Sequence, residues 1–418
     1  MNRRHFLGSA LSAAGLAGLP RRAHASPADR KFVFVHNAGG WDPTRALAAE
    51  FANTAVDMEA DATSATAGGI TYVDHPDRPS VRSFFQTWNS RSLILNGVLV
   101  RAISHELCTK IAFTGSTSGT QPDWATILAQ AGADRYTIPH LVIGGPSFAG
   151  ELGALVARTG QNGQLDALLT DALGALAPDV PIPATDDGIV AAIDVVRQEM
   201  IARRLARAGP GLDASLVASW EVSAEKAIGL HGMRERMDFQ ALQDLETAST
   251  VAANALTLGL SRCVTLAWPT DPYALAFDSH SENDETQSPL WEDLFAGLSN
   301  LMGKLQAAPG SGGGSLADET VVVVLSEMGR TPSSNSAGGK DHWPYTSVLM
   351  VGPAVTGGRI VGAYDANYNG SPVDPATGEL DASAEPLTIE MLGATLLALG
   401  DVDPEPWIDA TVLQGVMA

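Results

Sequence analysis

The sequence predicts an α/β protein: a doubly wound, largely parallel sheet flanked by helices, with a helical insert. Three observations carry that reading. Short apolar runs bounded by turn residues recur along the chain, and stretches with helical apolar spacing alternate with them. Carboxylates and histidines then cluster just past the apolar runs, at the edge where a parallel sheet builds its sites. The 418 residues are 45% hydrophobic and 17% charged, with a mean hydropathy of +0.05, a balance that supplies a large core and excludes bulk disorder.

In chain order, the first 25 residues read as an export signal. Arg3 and Arg4, followed by Phe6 and Leu7, form a twin-arginine pattern. A small-residue, weakly apolar stretch from Gly8 to Leu19 follows, and Ala23-His24-Ala25 gives a small-x-small cleavage site before Ser26. A membrane anchor is the alternative, but the stretch is shorter than the roughly 20 apolar residues of a spanning helix. The expected product is a single domain over residues 26–418, extracytoplasmic or periplasmic, exported by the twin-arginine machinery and without stable membrane insertion after cleavage. Such export carries folded proteins, often ones already holding a metal.

Lys31 to Val35 is the first expected strand and Ser92 to Gly97 another. Leu141 to Gly144, Cys263 to Ala267, Thr320 to Leu325 and Ser347 to Val351 add four more. Gln164 to Leu176, Asp187 to Ala208 and Asp213 to Leu260 have helical spacing, Asp213 or a neighbour serving as a cap, so the middle from about 150 to 260 reads as a helical insert. A Gly/Ser loop, Pro309 to Ser315, precedes the Thr320 strand, and Glu385 to Leu399 reads as a closing helix.

Charge narrows the partners. With 26 Lys and Arg against 47 Asp and Glu the net charge is −21, and removing the four arginines of the first 25 residues leaves 22 against 47, or −25. A pI near 4.7 excludes a phosphate-neutralising nucleic-acid binder and repels an anionic membrane surface. The two cysteines, Cys108 and Cys263, are too few for a disulfide framework. They form either one bridge or two buried thiols.

The chemistry lies at the expected strand ends. Asp42 sits in Gly39-Gly40-Trp41-Asp42-Pro43, and His105 opens a helical run that ends at Thr114-Gly115. Asp278 and His280 are two apart, so an extended chain points both to one face. Glu327 ends the Val321 to Leu325 run, and Asp341-His342 follow a Gly338-Gly339 turn. These four carboxylates and three histidines make a mixed oxygen and nitrogen ligand set suited to a divalent metal such as Zn or Mn. Singly each has a plainer reading: Asp42 as a turn former, His105 as a helix cap, Glu327 with Arg330 as an ion pair. The combination favours a metal site. His36, His75, His140 and His231 are read as surface or structural.

Ser326-Glu327-Met328-Gly329-Arg330-Thr331-Pro332, then Gly339-Lys340-Asp341-His342-Trp343-Pro344 and Gly357-Gly358-Arg359-Ile360-Val361-Gly362, resemble the domain of unknown function 1501 family. Phe277-Asp278-Ser279-His280 is similar to that family's aspartate-x-histidine motif, and Gly39-Gly40-Trp41-Asp42 to its N-terminal motif. The resemblance implies an alkaline phosphatase-like fold, one or two divalent metals (Zn, Mn or Ca), and hydrolysis of phosphate or sulfate esters. By that resemblance Asp42, Asp278, His280, Glu327 and His342, with Asp341 beside them, are metal ligands, and His105 takes the position of the relatives' nucleophile. There it would ligate a metal, act as general acid or base, or accept the transferred group. The sulfatase nucleophile signature around Cys108 and Thr109 is absent. Arg330 would neutralise an anionic transition state. The expected function is an exported metal-dependent hydrolase acting on an anionic ester; the alternative is a non-catalytic extracytoplasmic binding or assembly protein that keeps the fold and a structural metal.

Export should fail when Arg3 and Arg4 both become lysine, and intact mass should place the mature N-terminus at Ser26. Exported protein that retains residues 1–25 would contradict the cleavage site.

Overall fold

The computed structural model describes residues 26–159, 187–207, 230, 236–237, 244–268 and 275–418. The expected helix Gln164 to Leu176, the cap at Asp213 and most of the expected Asp213 to Leu260 helix lie outside those residues, as does His231.

Eight strands form the central sheet. They are β1 (Lys31–Asn37), β4 (Ser92–Leu99), β5 (His140–Ile143), β6 (Val156–Thr159), β7 (Cys263–Trp268), β8 (Thr320–Leu325), β11 (Tyr345–Val351) and β12 (Arg359–Val361), in the order β12-β4-β11-β8-β1-β7-β5-β6. β2 (Thr63–Ala67) pairs with β3 (Ile70–Asp74), and β9 (Gly329–Arg330) with β10 (His342–Trp343), as two-stranded ribbons. All the main-sheet pairings are parallel except those of β11, which runs antiparallel to both β4 and β8. The expected largely parallel sheet is therefore observed, with all six expected strands in it.

The central strands are apolar throughout because both faces are covered. β1 and β8 are buried at every position, and β8 is Thr-Val-Val-Val-Val-Leu, β-branched residues that suit a pleated, two-sided environment. One face packs against α1 (Pro79–Trp88), α5 (Leu245–Thr257) and α6 (Asn283–Ala307). The other packs against α2 (His105–Thr114), α3 (Trp124–Gln130) and α7 (Ile389–Leu399). α4 (Asp187–Arg207) and α5 lie in the stretch read as a helical insert, which also contains the edge strand β6. Cys108 and Cys263 are both buried and free. Among the described residues no helix is long and apolar enough to cross a membrane.

α6 is the main element that periodicity did not announce. Its first turns, Asn283 to Ser288, are polar and Pro289 follows, so the apolar spacing begins only at Trp291 and continues through Leu294, Phe295, Leu298, Leu301, Met302 and Leu305. The polar start has a use: Asn283 and Gln287 are buried beneath the site described below.

Phe295 is fully buried on α6, with ring centroids 5.2 Å from Phe84 and 5.5 Å from Phe85 of α1. Phe295→Ala should cost about 3–5 kcal/mol through lost burial and the cavity left behind. A urea midpoint unchanged from the parent protein would show that this face does not carry the expected packing.

Candidate metal centre

Parallel strands place their C-terminal ends on one edge, and the residues after β1, β4, β7 and β8 supply Asp42, His105, Asp278 and Glu327 there. β11 runs the other way, so its N-terminal approach lies on that same edge. The approach carries His342, whose strand position is directly opposite Arg330 in the β9–β10 ribbon. Segments distant in sequence thus reach one edge because one strand of the main sheet is reversed.

His105, Asp278 and His342 form the centre, each offering one ligand atom within 4.8 Å of the others. Asp278 Oδ1 is 3.4 Å from His105 Nε2 and 3.3 Å from His342 Nε2. A tetrahedral ion at the usual zinc–nitrogen distance would separate its ligand atoms by about 3.3 Å. His280 stands at the exposed rim, its Nε2 3.1 Å from Asp278 Oδ1 and 3.0 Å from His342 Nε2.

Each imidazole is held through its other nitrogen. His105 Nδ1 lies 2.7 Å from Glu327 Oε1, His280 Nδ1 2.9 Å from Asp341 Oδ1, and His342 Nδ1 2.6 Å from the Ile103 carbonyl. Carboxylates and carbonyls only accept, so in all three rings Nδ1 carries a proton, and Nε2 is the nitrogen left to present a lone pair to an ion. His105 Nε2 is buried and has no hydrogen-bond partner. Imidazole nitrogens and a carboxylate oxygen converging on one point need a positive charge among them, supplied either by protons on Nε2 or by a bound cation. The residues therefore fit a divalent metal.

The remaining expected ligands have other positions. Glu327 is fully buried, accepts from His105 and from the Gly39 amide (2.9 Å), and lies 3.5 Å from His36 Nε2. Its carboxyl is held well below the usual range because those bonds outweigh the opposing effect of burial. Asp341 is exposed and orients His280 from outside. Neither carboxylate is in the cluster; each fixes a ring that points into it. Asp42 is fully buried at an ion pair with Lys340, 2.9 Å away, and takes no part in the cluster.

Arg330 also differs from its expected place. The guanidinium is fully buried and donates to the carbonyls of Gly39, Gly40 (2.8 Å) and Lys340 (3.0 Å), and to Asp278 Oδ1 (2.6 Å). Those bonds fix Asp278 rather than face solvent. Burial raises the Asp278 carboxyl and Arg330 more than offsets it, so the net shift is downward. For His105, burial opposes the charged ring and the Glu327 bond outweighs it, raising its pKa. Cys108 is buried, with its thiol pushed up to about 12 by burial, which removes it as a nucleophile.

Close backbone approach makes the assembly possible. A Cβ at Gly39 would lie 2.5 Å from the Asp278 amide nitrogen, and the residue has φ +113°. His36 was the missed neighbour: it sits at the end of β1, buried against Glu327 and edge-on to Phe113 (5.2 Å). Its place at a strand end beside Gly39-Gly40 was the available signal. His75 and His140 are structural as expected, His140 buried between Thr126 and Thr265.

Asp278→Ala and His342→Ala should each abolish high-affinity metal binding, whereas Glu327→Gln should weaken it by about 10- to 100-fold, the usual effect of removing an orienting partner. Equal affinity in Glu327→Gln and the parent, measured by competition with a chelator, would contradict the orienting role.

No curated protein matches the chain. Solved structures similar to it include the crystal structure of Ps i-CgsB in complex with k-i-k-neocarrahexaose, at 10% identity over 91% of this chain and 74% of that one, with a TM-score of 0.41. A protein in the alkaline phosphatase superfamily from Vibrio parahaemolyticus is 10% identical over 89% of this chain and 67% of that one, with a TM-score of 0.38. The PsFucS1 sulfatase from Pseudoalteromonas sp. is 11% identical over 93% and 72%, with a TM-score of 0.35. Residues 216–411, which contain Asp278, His280, Glu327, Arg330 and His342, match the model of the family described as Protein of unknown function (DUF1501).

Proposed function

We propose that this protein is an exported, metal-dependent hydrolase of phosphate or sulfate esters, with its ion held by His105, Asp278 and His342. The observation that carries this reading is the convergence of Nε2 lone pairs on Asp278 Oδ1, each ring locked through Nδ1. Support also comes from the motifs whose resemblance implies ester hydrolysis. Three protein ligands and an exposed side match the open coordination of a catalytic site rather than a closed structural one.

A bound divalent ion would supply the electrophile and lower the pKa of a coordinated water. The chain's own residues do the rest. Glu327 fixes the His105 ring, Ile103 fixes His342, and Arg330 holds Asp278 in register, so the ligands need no rearrangement. His280 is exposed, oriented by Asp341, and presents Nε2 at the open rim. It is the group placed to hold or give a proton to a leaving alkoxide. One observation favours the non-catalytic reading: the buried guanidinium of Arg330 is committed to protein acceptors instead of facing an anionic ester.

Metal-replete protein assayed against chromogenic phosphate monoesters, phosphate diesters and sulfate esters should turn over at least one class. His105→Ala should lose metal and turnover together. His280→Ala should keep the metal while turnover falls by about 100- to 10,000-fold, the usual range for a general acid or base. No turnover of any ester by the metal-replete parent would overturn the enzymatic reading in favour of a binding protein.

A further inference from the structure

Asp42 is the residue whose implied role and actual surroundings disagree. Both of its carboxylate oxygens are engaged. Oδ1 accepts from the Thr44 amide (3.0 Å) and hydroxyl (2.6 Å), and Oδ2 from Asn283 Nδ2 (3.1 Å), with Arg45 Nη1 at 3.5 Å. Lys340 Nζ lies 2.9 Å from Oδ2, and both partners have fully buried side chains. The Asp42 carboxyl is held well below its usual value because Lys340 and Arg45 outweigh the cost of burial.

The surroundings of that ammonium are the telling feature. Besides Asp42, Nζ lies 3.4 Å from Thr44 Oγ1 and 3.4 Å from the Asp57 carbonyl oxygen. A carboxylate, a hydroxyl and a backbone carbonyl are the donor types that surround a hard cation. The Lys340 side chain fills the centre of this oxygen cradle with a charge from the chain itself. Its position in the sequence explains how. In the extended Gly339-Lys340-Asp341-His342 run, alternate residues face the same side, so Lys340 turns inward to Asp42, Asp341 outward to solvent, and His342 inward to Asp278.

We infer that Lys340 is a resident cation occupying the position at Asp42, so that the protein takes up one divalent ion per chain, at His105, Asp278 and His342, and none at Asp42. This rests on the metal reading above and fixes its count. A divalent ion at Asp42 would meet two buried cations, Lys340 and Arg45, and a carboxylate with no oxygen to spare.

The test is metal content of the full chain after loading with zinc or manganese and exhaustive dialysis, read by elemental analysis. Wild type should hold one equivalent. The charge-neutral pair Asp42→Asn with Lys340→Met should also hold one, because neither residue contributes to the ion. In a separate measurement, Lys340→Ala should lower Tm, and propylammonium, which replaces the missing atoms, should raise it again where sodium chloride at equal ionic strength does not. Should Lys340→Ala fail to fold, the double variant still decides. Two equivalents in wild type falling to one in the double variant would overturn the inference and leave the metal centre standing, as would an empty double variant beside a loaded wild type. No metal in wild type would overturn the metal reading and this inference with it.

Discussion

One carboxylate oxygen organises the site. Asp278 Oδ1 accepts a 2.6 Å bond from Arg330 and lies between 3.1 and 3.4 Å from the Nε2 atoms of His105, His280 and His342. Each imidazole is committed at Nδ1 to an acceptor fixed elsewhere in the fold, so none can relieve the crowding by changing tautomer without losing a bond. The fold thus concentrates ligand-type atoms around one carboxylate oxygen, an arrangement that could hold a cation. Glu327 does much of this work from the interior, where burial strengthens its bond to His105 and makes the ring's orientation costly to change.

Topology explains why such distant residues meet. Parallel strands bring the segments after β1, β4, β7 and β8 to one edge, which gathers His105, Asp278 and Glu327. The reversal of β11 delivers the residues before it to that edge as well. Without the reversal, His342 and Lys340 would lie at the opposite end of the sheet. The polar first turns of α6 then buttress the arrangement. Gln287 accepts from the Asp42 amide (2.7 Å) and donates to the Phe277 carbonyl (2.9 Å), tying the β1 loop to the loop bearing Asp278.

Much of this was legible in the sequence, for definite reasons. Interior parallel strands read as unbroken apolar runs, so Val321 to Leu325 announced itself and located Glu327 at its end. The helix at His105 was fixed by Thr114-Gly115, where it stops. Roles were less legible than positions. Ligands and the groups that orient them have the same residue types: Asp341 and His342 are adjacent, yet one faces outward to hold His280 and the other inward. Asp42 matched a ligand motif, but a lysine 298 residues away in the chain neutralises it, and no local pattern records that pairing. α6 was hidden because its apolar period starts only after Pro289.

The central claim, that His105, His342 and Asp278 share one ion, is tested most directly by X-ray absorption on protein loaded with one equivalent of zinc. The account predicts a first shell of nitrogen and oxygen at about 2.0–2.2 Å, with imidazole scattering from at least two histidines, and loss of one imidazole contribution in His342→Ala. A shell of oxygen alone, or a spectrum unchanged by His342→Ala, would contradict it.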